Sequence, residues 1–208
     1  MSPKRIGIFG GSFDPIHVGH LMLAQAALER FELDRVFFMP AKLSPFKQKL
    51  TMTKATTRYH MVELAVADNP GFRVSDLELN RPEPSYTIDT IRILKDQYPG
   101  VKIFFIAGAD AVMELEGWMT FEELLREVTF LAAYRPSHTR AQLETEVLRL
   151  NTQYEADIRL IDFPDVDVSS SYIRETIMRG GSGKYLVPEA VLDYINQEGV
   201  YRDHQRDR

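Results

Sequence analysis

A chain of 208 residues, 44% hydrophobic and 26% charged, fits one globular domain with a substantial core. Its net charge of −5 argues against a general nucleic-acid binder, so any phosphate site is a local basic pocket in an acidic protein. With no cysteine, disulfides, Cys-ligated zinc, iron–sulfur clusters and thiol nucleophiles are excluded.

Strand-like runs follow in chain order at "RIGIF", "RVFFMPA", "FRVSDLEL", "VKIFFIAG", "TFLAAYRP" and "DIRLIDF". Several are solidly apolar, as parallel strands covered on both faces should be. Helical spacing lies between them: Leu21, Ala24, Leu28 and Phe31 after Val18, then Met61, Leu64 and Ala65. Ile88, Ile91 and Leu94 continue the series, followed by "FEELLREV" and by Leu143, Val147 and Leu150. The alternation predicts an α/β fold, a Rossmann-like open parallel sheet with helices on both faces. After Phe163 the stretches "PDVDVSSSYIRETIMRGG" and "VPEAVLDYINQEGVYR" read as two helices with no strand after them. The expected organisation is a single domain, 1–208, with an α/β core over about 1–163 and a small helical C-terminal portion over 164–208. No apolar run reaches transmembrane length and "MSPKRIGIFGG" meets its glycines before a signal-like stretch forms, so a soluble cytoplasmic protein is expected.

The segment Gly7 to Leu21, "GIFGGSFDPIHVGHL", joins the first strand to the first helix. Gly10 and Gly11 are expected to give the backbone unusual conformations and to let a ligand approach it closely. The helix start beyond offers N–H groups and a positive dipole end, which suits phosphate. His17 and His20 stand together there. An H-x-x-H pair is also compatible with a metal half-site or with local hydrogen bonding, although zinc would need further ligands and none cluster with it. Two other phosphate signatures fail: G-x-G-x-x-G is absent, and "GGSGKY" at Gly180–Tyr185 lacks a P-loop's leading glycine and final Ser/Thr. That stretch is read as a helix C-cap and connector. Ser169, Ser170 and Ser171 precede Ile173 and Ile177 and read as the cap and first turn of another helix, with Arg174 one turn inside.

"GGSFDPIHVGHL" resembles the signature of the nucleotidyltransferase superfamily, and "VSSSYIR" at Val168–Arg174 resembles a second signature of that group. "PSYTIDTI", "IAGADAVMELEGW", "YRP" and the closing "YLVPEAVLDYINQEGVYR" resemble one family within it, nicotinate-nucleotide adenylyltransferase, so the similarity runs from Arg5 to Arg202. The resemblance implies adenylyl transfer from ATP to nicotinate mononucleotide, with pyrophosphate released, in NAD biosynthesis. It implies catalytic roles for His17, His20 and Arg174. It implies an ATP site of Gly10, Gly11, Ser12, Phe13, His17, His20, Gly108, Asp110, Arg135, Ser170, Ser171 and Arg174. The acceptor would meet Lys47, Thr87, Trp118 and the backbone N–H of Met119, with the tryptophan stacked on the pyridine ring. Mg²⁺ is implied as a passenger of ATP, with no metal site built by the protein, and neither nucleic acid nor membrane is a partner. The sequence departs from the family at "SPFK", Ser44–Lys47, where Phe46 replaces a usual histidine. A phosphopantetheine-type acceptor and a nucleotide sensor without turnover are the competing readings. Oligomeric state stays open.

Overall fold

Six of the apolar runs pair into one sheet of β1 (Arg5–Gly11), β2 (Arg35–Pro40), β3 (Phe72–Val74), β4 (Lys102–Gly108), β5 (Thr129–Ala133) and β6 (Ile158–Ile161). The computed structural model describes residues 3–42, 52–81, 86–134, 139–164 and 166–202. All neighbouring strands are parallel, in the order β3-β2-β1-β4-β5-β6. The helices are α1 (Val18–Arg30), α2 (Ala55–Val66), α3 (Thr87–Gln97) and α4 (Ala109–Met113), then α5 (Phe121–Glu127), α6 (Arg140–Tyr154), α7 (Ser170–Met178) and α8 (Glu189–Gln197).

Strand side chains alternate between faces. Phe104 and Ile106 of β4 join a core with Leu23 of α1, Met61 of α2, Ile173 of α7 and Val191 of α8. Ile103 and Phe105 join the opposite core with Ile91 of α3, Val112 of α4, Leu124 of α5 and Val147 of α6. Each such fully buried aliphatic or aromatic side chain stabilises the fold by about 1.5–3 kcal/mol. A larger residue at Gly7 would push its buried neighbours aside, because a Cβ there would sit 2.9 Å from Leu33 Cδ1 and 3.1 Å from Val36 Cγ2. The sheet order reverses at β1, which pairs with β2 on one side and β4 on the other. The helices following β1 and β4 leave on opposite faces, and open sheets bind ligands in the crevice such a reversal leaves beyond the strands' carboxyl ends.

Three local expectations change. The third strand ends at Val74, well short of "SDLEL". There Ser75 Oγ accepts the Leu77 N–H and the Asp76 carbonyl accepts those of Leu79 and Asn80, so side-chain and turn bonds replace the ladder. The buried stripe of α1 is Leu23, Ala24 and Ala27, with Leu21, Leu28 and Phe31 at its margin. Two alanines let this helix lie close to the sheet, and the stripe continues backwards to His20. Helix α4, unanticipated, starts directly from β4 with Gly108 as N-cap.

Candidate active site

Gly10 and Gly11 are strand residues, in register with Met39 and Pro40, and neither has a positive φ. The expectation of unusual glycine backbone at these positions is therefore corrected. Gly11 is small for another reason: a Cβ there would meet the Phe13 ring at 3.1 Å. The left-handed residue of the turn is Phe13 itself, at φ 46°. Its ring is buried and lies edge-on to Phe9 and to His20, with centroids 5.6 and 5.1 Å away.

His17 is the N-cap of α1, and its backbone N–H donates to His20 Nδ1 at 3.2 Å. With Nδ1 accepting, the proton of the neutral His20 ring belongs on Nε2, a donor directed away from the helix cap. The two imidazoles stack at 3.6 Å. Gly19 between them makes this possible, since a Cβ there would lie 3.2 Å from His17 Nδ1. The N–H of Val18 donates to the carbonyl of Leu186. Two amides at this helix start thus have partners inside the protein, in place of the phosphate contacts expected of them.

The second helix start comes to the same turn. Ser169 caps α7 by accepting the Tyr172 N–H. Ser170 Oγ donates to the Pro15 carbonyl at 2.9 Å, across 155 positions of sequence. Arg174 donates from NH1 to the Asp14 carbonyl at 2.6 Å and from NH2 to Ser171 Oγ at 3.1 Å. These bonds engage part of a guanidinium fork that carries further N–H donors.

Sequence reasoning missed the groups beneath the turn. Arg58, on the buried stripe of α2 with Met61, Val62 and Ala65, is itself fully buried. Its guanidinium donates to the carbonyls of Ser12, Ala41, Lys42 and Thr53 at 2.6, 2.7, 3.1 and 2.9 Å. Burial pulls its pKa down, and the charge of Asp14 opposes that. The buried Asp14 carboxylate accepts the Tyr201 hydroxyl at 2.6 Å and the Thr53 N–H at 3.2 Å. A signal existed: a charged residue standing three, four and seven positions before apolar ones occupies a core position of its helix.

On the other face, Gly108 and the exposed Asp110 lie where β4 passes into α4. Trp118 follows a short 3-10 turn, Leu115–Gly117, and stands edge-on to Phe105 at 5.7 Å. Phe105 in turn lies 3.6 Å from where a Gly10 Cβ would be, so one ring joins the tryptophan loop to the end of β1. Met119 is exposed, and Thr120 beyond it has φ 52°. Thr87 is the first residue of α3. Behind it Glu78 accepts the Thr90 hydroxyl, and Arg81 donates to Thr90 Oγ1 and Asp89. Burial raises the Glu78 pKa above the ordinary carboxylate range, against the Thr90 hydrogen bond and the Arg81 charge. Lys47 and Arg135, with Phe46 of the "SPFK" loop, lie outside the described residues.

Among the described residues no three His, Cys, Asp or Glu side chains converge as a metal site would need. No helix among them is long and apolar enough to cross a membrane. A cavity of about 510 Å³, lined in part by Leu21, Gln25, Asn69 and Phe163, contains none of the candidate residues.

Residues 8–176 match the cytidylyltransferase-like family model, which places the chain among the nucleotidyltransferases. It is 39% identical over 198 residues to a protein of Lachnoclostridium phytofermentans, covering 95% of this chain and 99% of that one. With a Moorella thermoacetica protein the identity is 43% over 201 residues, covering 96% and 93%. Both relatives carry the name probable nicotinate-nucleotide adenylyltransferase. A solved structure of Plasmodium falciparum nicotinic acid mononucleotide adenylyltransferase complexed with APC shares the fold, with a TM-score of 0.76 at 21% identity over 95% of this chain and 97% of that one. The chain belongs to the nicotinate-nucleotide adenylyltransferase family.

Proposed function

We propose that this protein transfers the adenylyl group of ATP to nicotinate mononucleotide, giving nicotinate adenine dinucleotide and pyrophosphate in NAD biosynthesis. The observation that carries the reading is the meeting of two distant helix starts. Ser170 and Arg174 are bonded to Pro15 and Asp14, immediately before the stacked His17 and His20. Hydroxyl, imidazole and guanidinium donors are thereby gathered at one end of the switch-point crevice, a donor set that suits a polyphosphate.

The attacking group is a phosphate oxygen of the acceptor, already largely ionised near neutral pH because its second pKa is about 6. No general base is therefore required. The protein's task is to bring two anions into line and to stabilise charge as pyrophosphate leaves. His20 Nε2–H and His17 donate to the α- and β-phosphate oxygens, while Ser170, Ser171 and the remaining donors of Arg174 hold the outer phosphates. The substrate would be ATP with its magnesium ion, which would partly neutralise the phosphate charge when bound. Asp110 and Gly108 meet the ribose side. Arg135 serves the adenine end, and Lys47 the mononucleotide. Trp118 stacks on the pyridine ring, with Thr87 and the Met119 N–H on its carboxylate. This reading takes 1–208 as a single nucleotidyltransferase domain, and a chain without cysteine suits a cytoplasmic enzyme.

Release of pyrophosphate tests the proposal. It is expected with ATP plus nicotinate mononucleotide and not with ATP alone. No release from the pair, or equal release with phosphopantetheine as acceptor, overturns the acceptor assignment.

A further inference from the structure

We infer that Arg58, Asp14 and Tyr201 form a buried clasp that positions the phosphate turn for adenylyl transfer, with Tyr201 a positioning residue supplied by the far end of the chain. The inference rests on the function proposed above and adds residues to its machinery.

Four carbonyls from three separate segments converge on the Arg58 guanidinium: Ser12 of the turn, Ala41 and Lys42 after β2, and Thr53 before α2. Carbonyl dipoles solvate a buried cation without neutralising it. The charge that faces it is Asp14, whose carboxylate is shared between the Tyr201 hydroxyl and the Thr53 N–H. The same residue's carbonyl receives Arg174. One turn is thus gripped by α2 at Ser12, by α7 at Asp14 and Pro15, and by Tyr201 at Asp14. Tyr201 reaches it by a specific route. Helix α8 ends at Gln197 with Glu198 as its C-cap, Gly199 takes φ 66°, and the Val200 N–H closes back onto the Ile195 carbonyl. Tyr201 itself then takes φ 66°, which directs its ring inwards onto Asp14 and Met61.

Stability alone does not account for this design. Buried charges that face one another are weak stabilisers compared with apolar side chains of the same volume. What hydrogen-bonded charges do well is fix direction, and here bonds from Arg58, Arg174 and Tyr201 reach Ser12 and Asp14, a few residues before His17, while Arg58 also holds the segments that flank the turn at Ala41, Lys42 and Thr53. In-line transfer between two anions loses rate steeply when the reacting groups are displaced by about an ångström. Burial and the Asp14 charge also hold the Tyr201 phenol far above its ordinary pKa, so it remains a donor throughout the working range of pH.

Tyr201→Phe removes one O–H and keeps the ring. Magnesium ATP affinity, by calorimetry, is expected to fall about tenfold, the worth of one charge-assisted hydrogen bond, and kcat at least as far. Nicotinate mononucleotide affinity, read from quenching of Trp118, the chain's single tryptophan, is expected to stay within about twofold, the usual coupling between sites that share no partner. Asp14→Asn also takes away the charge that faces Arg58, so its loss should be at least as large, and the double variant should lose no more than Asp14→Asn alone, because Tyr201 acts through that carboxylate. A folded Tyr201→Phe protein with wild-type ATP affinity and kcat overturns the clasp. So does an equal loss for both ligands, which marks general loosening. Should wild type bind ATP and release no pyrophosphate, the acceptor reading fails, while the ATP affinities of wild type and variant still decide the clasp.

Discussion

The turn at the end of β1 and the loop around Trp118 both stand over the carboxyl ends of central strands, yet the bonds that hold them differ in reach. Residues of the turn are bonded to Arg58, Ser170, Arg174 and Tyr201, which lie 46, 155, 160 and 187 positions away along the chain. The tryptophan loop is closed by short backbone bonds, Trp118 N–H to Leu115 and Phe121 N–H to Trp118, and by the Thr120 hydroxyl on its own neighbour's carbonyl. A longer tie, from Glu116 to Arg149 and Tyr154, lies on the exposed side of that loop. Buried long-range bonds set a geometry before any ligand arrives; short local ones leave a loop to settle on what it binds. On the proposed function, the turn is therefore the preorganised phosphate half of the site and the tryptophan loop the adaptable pyridine half. That division fits the chemistry, since charge develops at the phosphates and only recognition is needed at the ring.

If the division is right, the largest effects of mutation fall on the phosphate turn. His20→Ala should lower kcat by roughly two to three orders of magnitude, as for loss of a donor to developing charge, while thermal unfolding stays cooperative. Steady-state kinetics beside a melting curve checks this, and near-normal turnover would remove His20 from catalysis. Arg174→Ala comes next. It loses its phosphate donors and its grip on Asp14 together, so ATP affinity should fall by about 10–100-fold, the worth of charge-assisted bonds. Binding of nicotinate mononucleotide, followed by Trp118 fluorescence, should hardly move. Equal losses for the two ligands would make Arg174 a structural residue.

What the sequence made legible follows the same division in reverse. Helix and strand periods placed all six strand regions and the helices carrying His20, Thr87 and Ser170. The H-x-x-H pair and the serine cap were visible because each is local: a histidine at a helix start and a hydroxyl at an N-cap have short-range causes. Long-range partners were not. Nothing near Asp14 announces that its carboxylate meets Tyr201, and Arg58 shows itself only as a charge on an apolar stripe. Gly10 and Gly11 misled for a related reason. A glycine serves either backbone conformation or close packing, and only the position of the Phe13 ring shows that Gly11 is there for packing.

The adaptable half should respond with smaller changes and in specificity more than in rate. A stacked Trp118 cannot distinguish nicotinate from nicotinamide mononucleotide, because both rings are flat and similar in size. Trp118→Ala should therefore weaken both alike. In the proposed function the Thr87 hydroxyl and Met119 N–H would favour a carboxylate over a carboxamide, which would bring N–H groups against donors. Thr87→Val should erode the preference for the acid by about tenfold, the worth of one hydrogen bond, at nearly constant ATP KM. Comparing kcat/KM for the two acceptors in wild type and variant measures this. An unchanged ratio would move discrimination elsewhere.

The smallest expected effect concerns Glu78, which sits behind the start of α3 and bonds Thr90 beside Arg81. Burial raises its pKa in the folded protein, so the folded state holds this proton more tightly than the unfolded chain does. The sign of the linkage follows: the extra stability is fully present below the ordinary glutamate pKa and is lost as pH rises through the raised one. Each tenfold difference in proton affinity is worth about 1.4 kcal/mol. Glu78→Gln keeps an acceptor for Thr90 and has no proton to lose. The unfolding midpoint of wild type relative to this variant should therefore be most favourable in acid, decline as pH rises through the range just above ordinary glutamate, and then level off. Because Glu78 supports only the acceptor half, ATP affinity should be the same in both proteins throughout. Melting curves that stay parallel across that range would show that Glu78 is not the titrating group, and a shared loss of ATP affinity would break the separation between the two halves of the site.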